Sequence, residues 1–296
     1  MQAHPIEQIQ SPRALFERTA ALRLRGERIG LVPTMGALHA GHLSLIDSVR
    51  AAGATRIVVS IFVNPMQFGP NEDLAKYPRT FDSDVAGCEA RGAHIVYCPA
   101  PDAMYPPGFQ THVEVEQLTL AHEGPVRPGH FRGVATVVSK LFNAAGPCIA
   151  AFGRKDYQQL RTVQRMVRDL DLPVTILECP TLREPDGLAM SSRNRYLNDE
   201  QRMHAAAIYR GLHAASLAFA SGERDTETLV HLAQTPIAAH SDRIDYVTVA
   251  DAATLAPASA TAPSSSVLLV AARVGSTRLI DNCLLGEECL QQRPAV

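Results

Sequence analysis

The feature that most constrains this chain is an alternation of short, apolar, β-branched runs with helix-period segments, first seen over residues 29–63. Ile29, Leu31 and Val32 form an apolar run that stops at Pro33, as a buried strand feeding a loop does. Leu43, Leu45, Ile46 and Val49 then recur at helical spacing until Gly53 supplies a stop. Arg56–Val63, RIVVSIFV, is a second β-branched run. Together they make a β-turn-α-β unit, and the loop of such a unit is where ligands bind.

The alternation continues along the chain. Pro12–Arg25 predicts an amphipathic helix ahead of the first strand, and Phe81–Arg91 a helix closed by Gly92. His94–Cys98 predicts a third strand and the alternating Thr111–Val115 a fourth, more exposed one. Val134–Ala145 reads as an apolar helix, Cys148–Phe152 as a buried strand, Tyr157–Leu170 as a helix and Pro173–Cys179 as a strand. That order predicts an α/β fold with a doubly wound parallel sheet whose strand-end loops share one rim.

Past about Leu182–Gly187 the composition changes. Two alanine-rich helical segments, Asp199–Ser221 and about Asp225–Ala238, precede strands at Ile244–Val249 and Val267–Ala272. Between those strands Ala252–Ser266 is Ala/Ser/Pro-rich and reads as a surface turn region of variable order. The expectation is a Rossmann-like domain over residues 1–183 and a smaller C-terminal α+β lid domain over residues 184–296. A hinge at the linker would let Met190–Asn194 close over the first domain.

A chain of 296 residues is long enough for a large core and more than one domain. Its formal charge of −2 argues against a protein that holds nucleic acid by bulk electrostatics. No apolar run approaches a membrane span, and the N-terminus lacks the basic-then-apolar pattern of a secretory signal. Six cysteines (Cys88, Cys98, Cys148, Cys179, Cys283 and Cys289) form neither a CxxC pair nor a dense framework. They read as reduced, mostly buried thiols of a cytoplasmic protein, with no membrane or nucleic-acid partner.

The chemistry gathers at strand ends. Gly36 and Gly41 allow a close backbone approach in the first loop, and His39 and His42 lie three apart where the helix begins. Helix-start N–H groups and two imidazoles suit phosphate oxygens on which charge develops; the alternative is a pair of surface histidines on an ordinary loop. The irregular stretch Asn64–Thr80 carries Asn64, Gln67, Tyr77 and Arg79 directly past the second strand. Glu123–Gly133, with Arg127, His130 and Arg132, reads either as a solvated basic turn or as an anion-facing loop. Gly153–Asp156 sets Lys155 between a strand and a helix, as a phosphate-binding point charge or as a surface lysine before an N-capping aspartate. Arg183–Asn194 gathers Ser191, Ser192 and Arg193, either as oxyanion donors or in part as a helix cap. Neither GxGxxG nor GxxxxGK[ST] is present, no acidic cluster is dense enough for a metal cage, and no serine or cysteine has a nucleophile setting such as GxSxG. These residues favour attack on a nucleotide phosphate with the protein positioning and neutralising.

HAGH after a strand resembles the HIGH motif of the nucleotidylyltransferase and class I aminoacyl-tRNA synthetase superfamily. The fuller set is PTMGALHAGH, SIFVNPMQFGPNEDLAKYPRT, RPGHFRGV, FGRKDYQQL, DGLAMSSRN and the late AARVGSTRLIDN. In that order it is similar to the pantothenate synthetase (pantoate–β-alanine ligase) family.

The resemblance implies ATP, used with Mg²⁺, as co-substrate of pantoate and β-alanine, a pantoyl-adenylate intermediate, and a homodimer. It carries over an ATP-binding loop of Met35, Gly36, Ala37, Leu38, His39, Ala40, Gly41 and His42, with His42 as the catalytic histidine and His39 on the phosphates. Gly153, Arg154, Lys155 and Asp156 match a second nucleotide segment in which Lys155 is the phosphate lysine. Met190, Ser191, Ser192 and Arg193 match the counterpart of the KMSKS loop, Arg193 adding a catalytic cation, and Leu182 matches a backbone contact to adenine. Gln67 and Gln159 match the pantoate-binding glutamines, Gln67 also lying near β-alanine. Arg154 departs from a pattern that commonly has glutamate there, which leaves its side chain without a carried-over role. An adenylyltransferase of the same superfamily would keep the histidines but not need Gln67 and Gln159; a non-catalytic nucleotide-binding module would tolerate loss of His or Lys.

Overall fold

The structure is a computed structural model that describes residues 6–70 and 72–287. In chain order the elements are β1 (Glu7–Ile9), α1 (Pro12–Leu24), β2 (Ile29–Thr34), α2 (Ala40–Ala51), β3 (Arg56–Ile61), α3 (Phe81–Ala90), β4 (Ile95–Tyr97), α4 (Pro101–Met104), α5 (Glu123–Val126), α6 (His130–Ala145), β5 (Cys148–Gly153), α7 (Tyr157–Asp169), β6 (Val174–Cys179), α8 (Asp199–Ala220), α9 (Thr226–Ala238), β7 (Arg243–Asp251), β8 (Ser266–Val274) and β9 (Thr277–Leu284). They divide into two compact units. The first takes the chain up to Glu116, then Arg127–Gly153 and Gln159–Cys179; the second takes Gln117–Val126, Arg154–Gln158 and the chain from Pro180.

The first unit is built on a six-stranded sheet in the order β1-β4-β3-β2-β5-β6, every pairing parallel. Alternation along the strands separates two cores. Ile29, Leu31, Val58, Ile95 and Phe152 meet α1, α6 and α7 on one face, while Val32, Ile57, Val59, Val96 and Ala151 meet α2 and α3 on the other. This is the doubly wound arrangement the sequence predicts. Strand order runs outward from β2 in one direction and from β5 in the other, so the switch point lies between these two neighbours. Gly30 sets how closely α2 can lie on β2, because a Cβ there would fall 3.0 Å from Val49 Cγ2 of that helix.

The second unit packs α8 and α9 on a three-stranded antiparallel sheet, β7-β8-β9. Leu212, Phe219, Leu229 and Ile237 face Val249, Leu268 and Val270 in its core. Among the described residues, no helix is long and apolar enough to cross a membrane.

Several local expectations change. Thr111–Val115 is not a strand: Val113 and Val115 alternate because they lean on the first core, while the Val113 N–H is taken by Thr136 Oγ1 at 3.0 Å. Glu123–Gly133 is not one loop but α5, a short turn and the start of α6. Ala252–Ser266 is anchored rather than loose, since Ala252, Leu255 and Ala262 are buried and the Asp251 carboxylate caps Ala253 and Thr254. Two strands escaped the sequence reading: β1, three residues paired to β4, and β9, which completes a hairpin through Gly275 at φ +58°.

Candidate active site

The turn between β2 and α2 is built from backbone restraints. Gly36 adopts φ +80° and Ala37 φ +51°, both left-handed. Asp84, from the first turn of α3 and 3% exposed, accepts hydrogen bonds from the N–H groups of Ala37 and Leu38, both at 2.8 Å. Its Oδ1 also accepts from Thr80 Oγ1 at 3.0 Å. His39 is then the N-cap of α2, its Nδ1 accepting from the Gly41 N–H at 3.1 Å. That bond makes Nε2 the N–H nitrogen of the neutral ring. The His42 ring lies with its centroid 4.0 Å from that of His39. Two imidazoles therefore share the start of a helix at the carboxyl end of β2, beside the switch point.

Gln67 sits nearby in chain topology, past the end of β3, in a short turn capped by Asn64. Asn64 Nδ2 donates to Gln67 Oε1 at 3.0 Å, and Gln67 Nε2 approaches Met35 Sδ at 3.1 Å. Tyr105 donates from its hydroxyl to Asn64 Oδ1 at 2.7 Å. Arg127 and His130 are neither a solvated basic turn nor an open anion site. Arg127 forms a two-bonded pair with Glu72 at 2.7 and 2.6 Å and reaches the Gln67 carbonyl at 3.3 Å. His130 Nδ1 lies 2.8 Å from the same carbonyl, and Arg127 Nη1 lies 3.1 Å from His130 Nε2, which suits a neutral ring donating through Nδ1. Both side chains brace the Gln67 turn.

The brace has no slack. A Cβ on Gly133 would lie 2.3 Å from the Met66 carbonyl oxygen and 2.7 Å from Gln67 N, backbone atoms that cannot rotate aside. Gly133→Ala is therefore expected to destabilise the fold by about 1–3 kcal/mol, as overpacking does. Thermal unfolding would report this.

Gln159 is half-buried in the first turn of α7. Its neighbour Gln158 belongs to the second unit and is structural: Nε2 donates to the carbonyls of Leu118 and Ala121, and Oε1 accepts from Glu123 N.

In the second unit Arg154–Asp156 forms a 3-10 turn directly after β5. Lys155 Nζ lies 3.7 Å from Asp156 Oδ1, and Arg154 pairs with Glu287 at 2.8 Å. The 182–190 segment is a tight hairpin in which Met190 N donates to Leu182 O and Glu184 N to Leu188 O. Its Gly187 has no room for a side chain, since a Cβ would lie 2.1 Å from the Tyr209 ring. Ser191 caps the following short turn, Oγ accepting from Arg193 N at 3.2 Å, and Ser192 is buried. Neither serine caps α8, whose N-cap is Asn198 with its side chain accepting from Gln201 N at 2.8 Å.

Burial pushes the thiols of Cys88 and Cys148 up to about 12, so they stay protonated near neutrality. Cys289 lies outside the described residues. Among the described residues, no three His, Cys, Asp or Glu side chains converge as a metal cage.

A Rossmann-like sheet whose switch point carries a histidine-capped helix start defines the class of nucleotide-handling folds with a HIGH-like turn. Residues 6–284 match the family described as pantoate-beta-alanine ligase. The pantothenate synthetase of Myxococcus xanthus is 53% identical over 272 residues, covering 91% of this chain and 93% of that protein. That of Geobacter sulfurreducens is 51% identical over 278 residues, 92% of this chain and 95% of that protein. Among solved structures, a pantothenate synthetase from Thermus thermophilus superposes with a TM-score of 0.88 at 42% identity, covering 95% of this chain and 99% of that one. A pantoate-beta-alanine ligase from Francisella tularensis, complexed with beta-gamma ATP and beta-alanine, gives a TM-score of 0.78 at 30% identity, covering 98% and 100%. The chain belongs to the pantoate–β-alanine ligase family and is an enzyme of pantothenate biosynthesis.

Proposed function

We propose that the ligation consumes ATP and runs in two steps. The pantoate carboxylate attacks the α-phosphorus of ATP, forming pantoyl adenylate and releasing pyrophosphate. The amine of β-alanine then attacks the acyl carbon, and AMP leaves with pantothenate. The observation that carries this reading is the His39–His42 pair at the start of α2, with His39 Nδ1 engaged by Gly41 and Nε2 thereby the donor nitrogen.

Each named residue takes a role that its chemistry suits. Met35–His42 lines the nucleotide, and His39 and His42 offset charge growing on the departing pyrophosphate. Lys155, within Gly153–Asp156, and Ser191, Ser192 and Arg193 after Met190 offer a cation, hydroxyls and a guanidinium suited to phosphate. The backbone of Leu182 contacts adenine. Gln67 and Gln159 bind pantoate, Gln67 also approaching β-alanine, because a carboxamide donates and accepts without adding charge. Because Asn64 donates to Gln67 Oε1, the Gln67 amide presents its N–H side as donor. No base is required in the first step, since a carboxylate has no proton to lose. A divalent cation such as Mg²⁺ would travel on the triphosphate, which suits a chain lacking a convergent ligand cluster among its described residues. The division at 183/184, with the smaller domain as a lid that keeps water from the adenylate, belongs to the same proposal, as do a homodimeric state and a cytoplasmic location.

Pyrophosphate exchange with pantoate alone tests the route. Label is expected to pass from pyrophosphate into ATP without β-alanine, while net AMP release requires both acids. Exchange that depends on β-alanine would exclude the free adenylate and leave a concerted reaction.

A further inference from the structure

We propose that Asn282 is a positioning residue for Lys155, holding the phosphate-facing turn from behind through its backbone. The proposal rests on Lys155 being the phosphate lysine. Asn282 lies on β9 and is 5% exposed. Its Nδ2 donates to the Arg154 carbonyl at 2.9 Å and to the Lys155 carbonyl at 2.8 Å. Both protons of one amide nitrogen are thus spent on consecutive carbonyls of the turn that carries the lysine.

The brace extends one residue back along β9. Asp281, 3% exposed, accepts Asn282 N at 2.8 Å and binds Arg183 through both oxygens at 2.6 and 3.1 Å. Arg183, 4% exposed, passes a hydrogen bond at 3.1 Å to the Gly187 carbonyl and stacks over Tyr209 at 4.9 Å. The late Asp281-Asn282 pair therefore holds both the Lys155 turn and the hairpin that leads to Met190–Arg193.

The strand does not need the Asn282 side chain, since β9 pairs with β8 along its whole length through the backbone. What the side chain adds is a fixed origin for Lys155. A lysine stem has four rotatable bonds, so the protein controls its ammonium chiefly by fixing the Cα, and displacement of about 1 Å at a reacting centre costs about 10²-fold.

A double-mutant cycle of Asn282→Ala with Lys155→Ala, read by pantoate-dependent pyrophosphate exchange, tests the coupling. Asn282→Ala is expected to lower kcat/KM for ATP by about 10- to 100-fold, with KM for β-alanine in the second step unchanged. In the Lys155→Ala background the same change should add less than about twofold. Asn282→Asp, of the same shape but with a carboxylate facing two carbonyls, should be at least as slow. Should Asn282→Ala fail to fold, Asn282→Ser, which retains one donor, replaces it in the cycle. Equal slowing in both backgrounds, or an unchanged rate in a folded single variant, overturns the proposal. A wild-type rate in Lys155→Ala would instead overturn the assignment of Lys155, and the proposal with it.

Discussion

Replacing His42 with alanine is expected to slow single-turnover adenylation by about 10²-fold or more, the loss that follows removal of one transition-state donor. His42 stands in the first turn of α2, where the helix end already favours negative charge, and its ring adjoins that of His39. The two histidines are not equivalent, and the difference is measurable. His39 is also the N-cap, so His39→Ala would remove a cap worth about 0.5–2 kcal/mol together with any phosphate contact. His39→Asn keeps a capping oxygen and removes the Nε2–H. It is expected to retain the wild-type Tm yet slow adenylation, whereas His39→Ala should lower both. An unchanged single-turnover rate in His42→Ala would take that residue out of the chemistry.

The sequence carried the sheet well because its strands are buried on both faces, and such strands read as continuous β-branched runs. Ile29–Val32 and Arg56–Ile61 needed no partner to be seen. Thr111–Val115 misled for the opposite reason: alternation reports one-sided burial, and Val113 and Val115 are half-buried without a ladder. β1 is too short and too polar to show a period, and its pairing with β4 depends on residues some ninety positions away.

At the site, motif residues were legible and their supports were not. His39, His42, Lys155 and Gln67 stand at strand ends, where chain topology itself points. Gln158 and Gln159 are adjacent and identical in type, and only the contacts of Gln158 with Leu118, Ala121 and Glu123 separate a tether from a candidate ligand. Arg127 and His130 read equally as a solvated basic turn or an anion-facing loop because their partners, Glu72 and the Gln67 carbonyl, lie 55 and 63 residues away. In the second unit, Glu123 is held by Arg278 from 155 residues on, at 2.9 and 2.6 Å, and by the Tyr246 hydroxyl at 2.8 Å. An isolated acidic residue at the start of a four-residue helix gives no sign of such a pairing.

Asp84 is the support with the largest expected consequence. Its carboxylate is the acceptor for two adjacent amides of the β2–α2 turn, Ala37 and Leu38. Ala37 holds a left-handed φ that a residue with a Cβ rarely adopts, so the turn keeps its shape only while these bonds over-determine it. Asp84→Ala leaves both N–H groups without that acceptor, at about 1–3 kcal/mol each, an expected loss of about 2–6 kcal/mol in urea unfolding. A loss that large can empty the folded state of a marginally stable protein, so the informative variant is Asp84→Asn. Its single oxygen can serve one amide, while its NH₂ must face the other, donor against donor. The expected result is a folded enzyme of lower stability with a raised KM for ATP, because the turn that delivers His39 has lost one of its restraints. Wild-type stability and KM in Asp84→Asn would show that the turn holds its left-handed shape without the carboxylate.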